Sequence, residues 1–136
     1  MTLPRSGIVP YLFYEDAAAM MDWYARVFGF VELSRWLDPE GNVRNGEMSV
    51  GETELWLDGG GTAYWEQHGR GPAPWIGVWV EDLDATSARI RSEGIELGEP
   101  VERNFGVRMS DQVVDPAGYQ WSFMERVSLP DPNQTG

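Results

Sequence analysis

Apolar residues run almost unbroken from Ile8 to Tyr14, and then their spacing changes: Ala17, Met20, Met21, Tyr24 and Val27 recur close to every 3.6 residues. The run predicts a strand buried on both faces, and the recurrence predicts a helix capped by Asp16 and reaching about Phe28. Gly29 has the place of a glycine that stops a helix. Three more strands are predicted, over 31–37, 46–50 and 53–58, parted by the turns "DPEGN" (38–42) and "GE" (51–52).

From Trp75 the same grammar restarts. A strand over 75–80 leads to a helix capped by Asp82 or Asp84, running to about Ser92 and stopped by Gly94. Short strands are predicted near 95–97 and over 107–114, and "DPAG" (115–118) turns into a last strand over 119–125. One offset of sixty-six residues puts Val9 on Trp75, Tyr14 on Val80, Glu15-Asp16 on Glu81-Asp82, and Trp56 on Ser122. The expected fold class is therefore α+β: one domain over 1–136, made of two tandem βαβββ modules at 7–58 and 75–126. The Gly- and Pro-rich segment 59–74 between them is expected to be a loop, with Tyr64 and Trp65 giving it a contact or lid role. The tail, 127–136, is expected to be flexible.

Alternation along the strands assigns faces. Ile76, Val78 and Val80 oppose Trp75, Gly77 and Trp79; Leu55 and Leu57 oppose Glu54, Trp56 and Asp58. Val9, Tyr11 and Phe13 oppose Leu12 and Tyr14, and Gln120, Ser122 and Met124 oppose Tyr119, Trp121 and Phe123. Each strand thus has a greasy face suited to helices and a mixed face. The mixed faces are expected to line a concave cavity, aromatic with a few polar groups, as small-molecule pockets are. Gly77 between two tryptophans reads as space left for a ligand.

Composition narrows the choice. Twenty-two acidic residues face ten arginines and no lysine, for a net charge of −12. Nucleic acid and anionic membranes are excluded as partners by that sign, and a cationic or neutral partner is favoured. No stretch of about 18 apolar residues is present, and the first ten residues lack the apolar run of a signal peptide, so a cytoplasmic protein is expected. With no cysteine, thiol chemistry is absent, and there is no Ser-His-Asp set beyond what the one histidine, His68, could support; in the loop it reads as a solvated residue. "GGG" (59–61) has no lysine to make it a phosphate loop.

The paired modules, with "FYEDAAAMMDWYARVFGF", "VWVEDLDATSARI" and "VVDPAGYQW", resemble the vicinal oxygen chelate superfamily of glyoxalase I, extradiol dioxygenases and bleomycin-resistance proteins. The resemblance spans about 7–126. It implies four metal ligands, at the head of each module's first strand and in each module's last strand. Those positions hold Val9, Trp56, Trp75 and Ser122 here, none of them a good ligand for a divalent metal. The closest likeness is then to the metal-free, bleomycin-resistance-like branch, whose members are acidic dimers that sequester a cationic aromatic antibiotic.

The expected function is metal-independent binding of a hydrophobic aromatic or cationic small molecule, with no cofactor and with a homodimer as the assembly. Its expected ligand-binding residues are Tyr11, Phe13, Glu54, Trp56, Asp58, Trp75, Trp79, Arg108 and Ser122, with no catalytic or metal-ligating residue. Arg108 would meet an anionic group of the ligand. The alternative is a metal-dependent lyase, isomerase or dioxygenase built on Glu47, Glu54, Asp58 and His68. A third possibility is a dimer whose own side chains fill the hollow.

Overall fold

The computed structural model describes residues 7–103 and 106–128. The chain divides into two compact units, Met1–Gly71 and Pro72–Gly136. In the first, β1 (Tyr11–Phe13) is followed by α1 (Ala17–Trp23), then β2 (Val31–Leu37), β3 (Val43–Val50) and β4 (Thr53–Asp58), and the unit ends in α2 (Gly61–His68). The sheet order is β1-β4-β3-β2, with β1 parallel to β4 and the other pairs antiparallel. The second unit holds β5 (Trp75–Trp79), α3 (Leu83–Ser92), β6 (Val101–Arg103), β7 (Val107–Met109), β8 (Val113–Val114) and β9 (Gln120–Arg126). Its order is β5-β9-β7-β6, with β8 also on β9.

The sixty-six-residue repeat holds in the hydrogen bonds themselves. Tyr11 partners Trp56 in one parallel pair, and Gly77 partners Ser122 in the other. The Tyr14 amide donates to the Asp58 carbonyl, and the Val80 amide to that of Met124. At the helix starts, Asp16 Oδ1 accepts from Ala19 N–H and Asp82 Oδ1 from Ala85 N–H, both at 3.0 Å. Asp82 is thus the cap, and Asp84 is free for another task.

That task is to bind Arg108, whose guanidinium reaches Asp84 at 2.8 Å and Glu125 at 3.0 Å. The second oxygen of Glu125 accepts the Leu83 amide at 3.1 Å, so three side chains fasten the start of α3 to β9. The hydrogen bond from Arg108 holds the Asp84 carboxyl below its ordinary range, so the pair stays ionised to lower pH than an isolated aspartate would.

The first core gathers Tyr14, Met21, Tyr24, Met48, Leu55 and Leu57, all buried, with the Tyr14 and Tyr24 hydroxyls 2.8 Å apart. The second gathers Leu83, Ile90, Val107, Trp121 and Phe123. The helix of the first unit continues beyond Trp23 as a π-helical turn, Tyr24–Phe28, ended by Gly29 in the left-handed region (φ 76°).

Several boundaries differ from the sequence pattern. The first strand begins at Tyr11 rather than Ile8, leaving Val9 outside it. No strand forms at 95–97; the paired segment is Val101–Arg103. The run 107–114 splits at Ser110, whose Oγ accepts the Phe123 amide at 2.9 Å while its own amide donates to the Phe123 carbonyl. Eight residues of the supposed loop are helical, as α2. Of the expected flexible tail, residues 129–136 lie outside the described residues, and the amides of Val127 and Ser128 both donate to the Gly106 carbonyl. No helix among the described residues is long and apolar enough to cross a membrane.

Candidate functional site

Cross-strand partners share a sheet face, so the registers settle what stands beside what. On the mixed face of the first sheet one row reads Phe13, Asp58, Asn45, Trp36, and the next reads Tyr11, Trp56, Glu47, Ser34. Glu54, Ser49 and Val31 form a third. Tyr11, Phe13, Glu54, Trp56 and Asp58 are therefore brought together as expected from alternation. Asn45 and Trp36 join them, and no arginine occupies a position in these rows.

The aromatic rings form a chain of contacts. Trp56 meets Tyr11 edge to face (5.7 Å between centroids, 82°). Tyr11 and Phe13 are parallel within 7° but 6.4 Å apart, wider than a close stack. Phe13 and Tyr64 of α2 stack closely, at 4.0 Å and 13°. Tyr11 remains 45% exposed, so the surface is open to solvent.

The polar groups around these rings are oriented. The Tyr11 hydroxyl donates to Asn45 Oδ1. Burial and the charges of Asp58 and Glu47 push the Tyr11 phenol above its ordinary value, so it stays neutral. The Trp56 indole N–H donates to Glu54 Oε1 at 3.1 Å, and Asp58 Oδ1 accepts the Gly60 amide at 2.7 Å. Three carboxylates thus border an aromatic surface whose strand rows carry no arginine, while the Arg44 guanidinium comes up at Gly60 on the Asp58 side. Such a surface attracts positive charge by Coulomb attraction and by the ring quadrupoles.

The second unit's mixed face differs from the expectation. Trp75 and Trp79 stand on it, 57% and 55% exposed, and the Trp75 indole N–H donates to Ser122 Oγ at 2.9 Å. The space over Gly77 is not empty: a Cβ there would lie 2.8 Å from Met124 Cε, so the methionine side chain fills it. The Arg126 guanidinium lies 5.0 Å from the Trp79 ring centroid, so a cation of the chain's own already sits at that ring. Arg108 partners Glu125 and shares the opposite face with Trp121 and Phe123, turned to α3. The structure therefore separates Arg108 from Trp75, Trp79 and Ser122. Neither Met124 over Gly77 nor Arg126 at Trp79 is legible from alternation, which gives a face but not the direction a long side chain leans. Asn45 was within reach, had the strand after "DPEGN" been started at Val43.

The positions where the superfamily's metal ligands would fall fare no better in space than in sequence. Val9 precedes β1, Trp56 and Trp75 donate N–H groups, and the Ser122 hydroxyl is taken by Trp75. His68 rests against the Tyr64 ring, 4.6 Å between centroids. Among the described residues no group of three or more His, Asp or Glu side chains is placed to hold a metal ion, so this donor set does not fit one.

The sequence matches the Glyoxalase/Bleomycin resistance protein/Dioxygenase superfamily over residues 7–123. The chain belongs to that superfamily. Among solved structures of similar fold, TioX from Micromonospora sp. ML1 is 27% identical with a TM-score of 0.74, the match covering 90% of this chain and 99% of that one. A lactoylglutathione lyase from Agrobacterium tumefaciens is 18% identical (TM-score 0.67, 90% and 95% covered) and shares the fold. A protein of Mycobacterium bovis described as uncharacterized is 27% identical over 127 residues, 89% of this chain and 84% of the relative. The superfamily thus spans proteins of different chemistry on one scaffold, and the residues on the faces have to distinguish them.

Proposed function

We propose that this member of the superfamily binds a flat aromatic compound carrying positive charge on the mixed face of its first sheet, and does so without chemical turnover and without a metal. One observation carries it: Tyr11, Phe13 and Trp56 share that face with Glu47, Glu54 and Asp58, and no arginine stands in the rows. Stacking and cation–π attraction contribute about 0.5–2 kcal/mol per ring, and the three carboxylates discriminate by charge.

Proflavine, a planar aromatic cation, serves as probe. It is expected to quench tryptophan fluorescence saturably, more weakly at high salt, and Trp56→Ala is expected to weaken binding roughly fivefold to thirtyfold. Equal binding of an anionic ring of the same size, such as anthracene-2-sulfonate, would remove the charge argument. No saturable quenching by either would remove the site.

Pairing of two chains belongs to the same proposal. Val31, Leu33, Trp36 and Leu37 are exposed on β2, an edge strand in the sheet order, and such an edge invites a second copy. Light scattering should return twice the 15.3 kDa chain mass; a single-chain mass at micromolar concentration would end this part.

A further inference from the structure

The two ends of α2 are held very differently. At its start, the Gly59 amide donates to the Arg44 carbonyl (3.0 Å), the Gly60 amide to Asp58 Oδ1 (2.7 Å) and the Gly61 amide to the Tyr14 carbonyl (3.0 Å). A Cβ on Gly61 would lie 2.7 Å from the Tyr14 carbonyl group, so the backbones touch there. Past its end, Gly69 and Gly71 have φ of 79° and 67°, and a Cβ on either would meet nothing within 4 Å. Along the helix itself only Gly61 is buried and Trp65 is half-buried, the latter beneath the Arg70 guanidinium at 4.0 Å from its ring. The body of the helix is joined to the sheet's mixed face by the ring of Tyr64, stacked on Phe13, with His68 one turn on resting against Tyr64.

We propose that Tyr64 is an internal occupant of the stacking position on Phe13, and that α2 is a strap which lifts from it, about its anchored start, when a flat ring takes that position. The anchored glycines fix where the strap returns; the unhindered stretch at Gly69–Gly71 absorbs the displacement. An occupant of this kind lowers the apparent affinity for a competing ring by the fraction of chains in which the strap is closed, and shields the aromatic surface when no ligand is present. The strap rests on the structure of the first unit alone. Its displacement by a ligand rests on the function proposed above.

The first experiment needs no ligand. Hydrogen exchange on the full chain is expected to be faster across 61–68 in Tyr64→Ala, and equally so in Phe13→Ala, by about threefold to tenfold, with β3 and β4 unchanged. Alanine favours helix, so loosening in Tyr64→Ala reports the lost stack rather than lost propensity. Unchanged exchange in both variants would overturn the strap. In the second experiment, Tyr64→Ala is expected to bind proflavine about threefold to tenfold more tightly than the unaltered chain, and Phe13→Ala more weakly. Weaker binding by Tyr64→Ala would make Tyr64 a fixed wall and overturn the displacement. If proflavine binds no form, the ligand assignment fails by itself, and the exchange result alone decides the strap.

Discussion

Replacing Asp115 with alanine is expected to lower the unfolding free energy by roughly 3–5 kcal/mol, one of the largest losses any single side chain of this protein can produce. The carboxylate is buried and accepts three hydrogen bonds: from the amides of Ala117 (2.8 Å) and Tyr119 (3.1 Å) to Oδ1, and from the Trp121 indole N–H (2.8 Å) to Oδ2. Trp121 is 1% exposed, so its N–H has no water to turn to once the acceptor is gone. The molecule carries its own control. In "DPEGN", Asp38 Oδ1 accepts from Glu40 and Asn42 amides in the same pattern, but in a solvated turn with no buried indole to satisfy. Asp38→Ala should therefore lose less than half as much. Urea unfolding of the two variants decides it, and equal losses would mean that the turn, not the buried N–H, is what Asp115 serves.

Gly59→Ala comes next, at about 3 kcal/mol or more. A Cβ there would overlap the Val43 carbonyl oxygen and lie 3.0 Å from its carbon. Both belong to the backbone of β3 at its first residue, and the Gly59 amide is bonded to Arg44 beside it, so neither partner can move without opening the sheet. Gly46 offers the comparison. A Cβ there would overlap only the end of the Met21 side chain, which has three rotatable bonds and can turn away. Gly46→Ala is expected to unfold within about 1.5 kcal/mol of the unaltered chain. Thermal and chemical denaturation of both variants test this; a mild Gly59→Ala would show that β3 yields more easily at its start than this packing implies.

Much of this architecture is written in residues whose effect is local. Aspartate is a favoured helix cap because its carboxylate can accept an amide three positions on, so Asp16 was legible and the second cap was narrowed to Asp82 or Asp84, between which only the hydrogen bond to Ala85 decides. The Asp-Pro-x-Gly turns and the sixty-six-residue repeat were legible for the same reason. So was the grouping of Tyr11 and Phe13 with Trp56, because a period of two fixes a face. What depends on a neighbour in space was not. Arg108 looked free for a ligand until register placed it beside Glu125 and under Asp84. Gly77 looked like a vacancy, although its missing side chain is replaced by Met124 from the adjoining strand. The helix α2 escaped notice because it has little apolar periodicity to announce it, and its glycine-rich start reads as a loop.

The two copies of the βαβββ unit agree at their ends and disagree in the middle. Caps and final strands stand sixty-six residues apart, but the left-handed glycines that end the helices, Gly29 and Gly94, stand sixty-five apart. The difference is taken up where the helices finish: Gly29 N–H reaches back five residues to the Tyr24 carbonyl in a widened turn, whereas Gly94 N–H reaches only three, to Arg91, in a tightened one. The first helix is one residue longer from cap to glycine, and the stretch from its glycine to the last strand of its unit is one residue shorter, so the offset returns to sixty-six in the final strands. Swapping the interior of one helix for the other would therefore carry a length mismatch of one residue with it, and a graft between the halves keeps its length only if it runs from the helix cap through to the final strand.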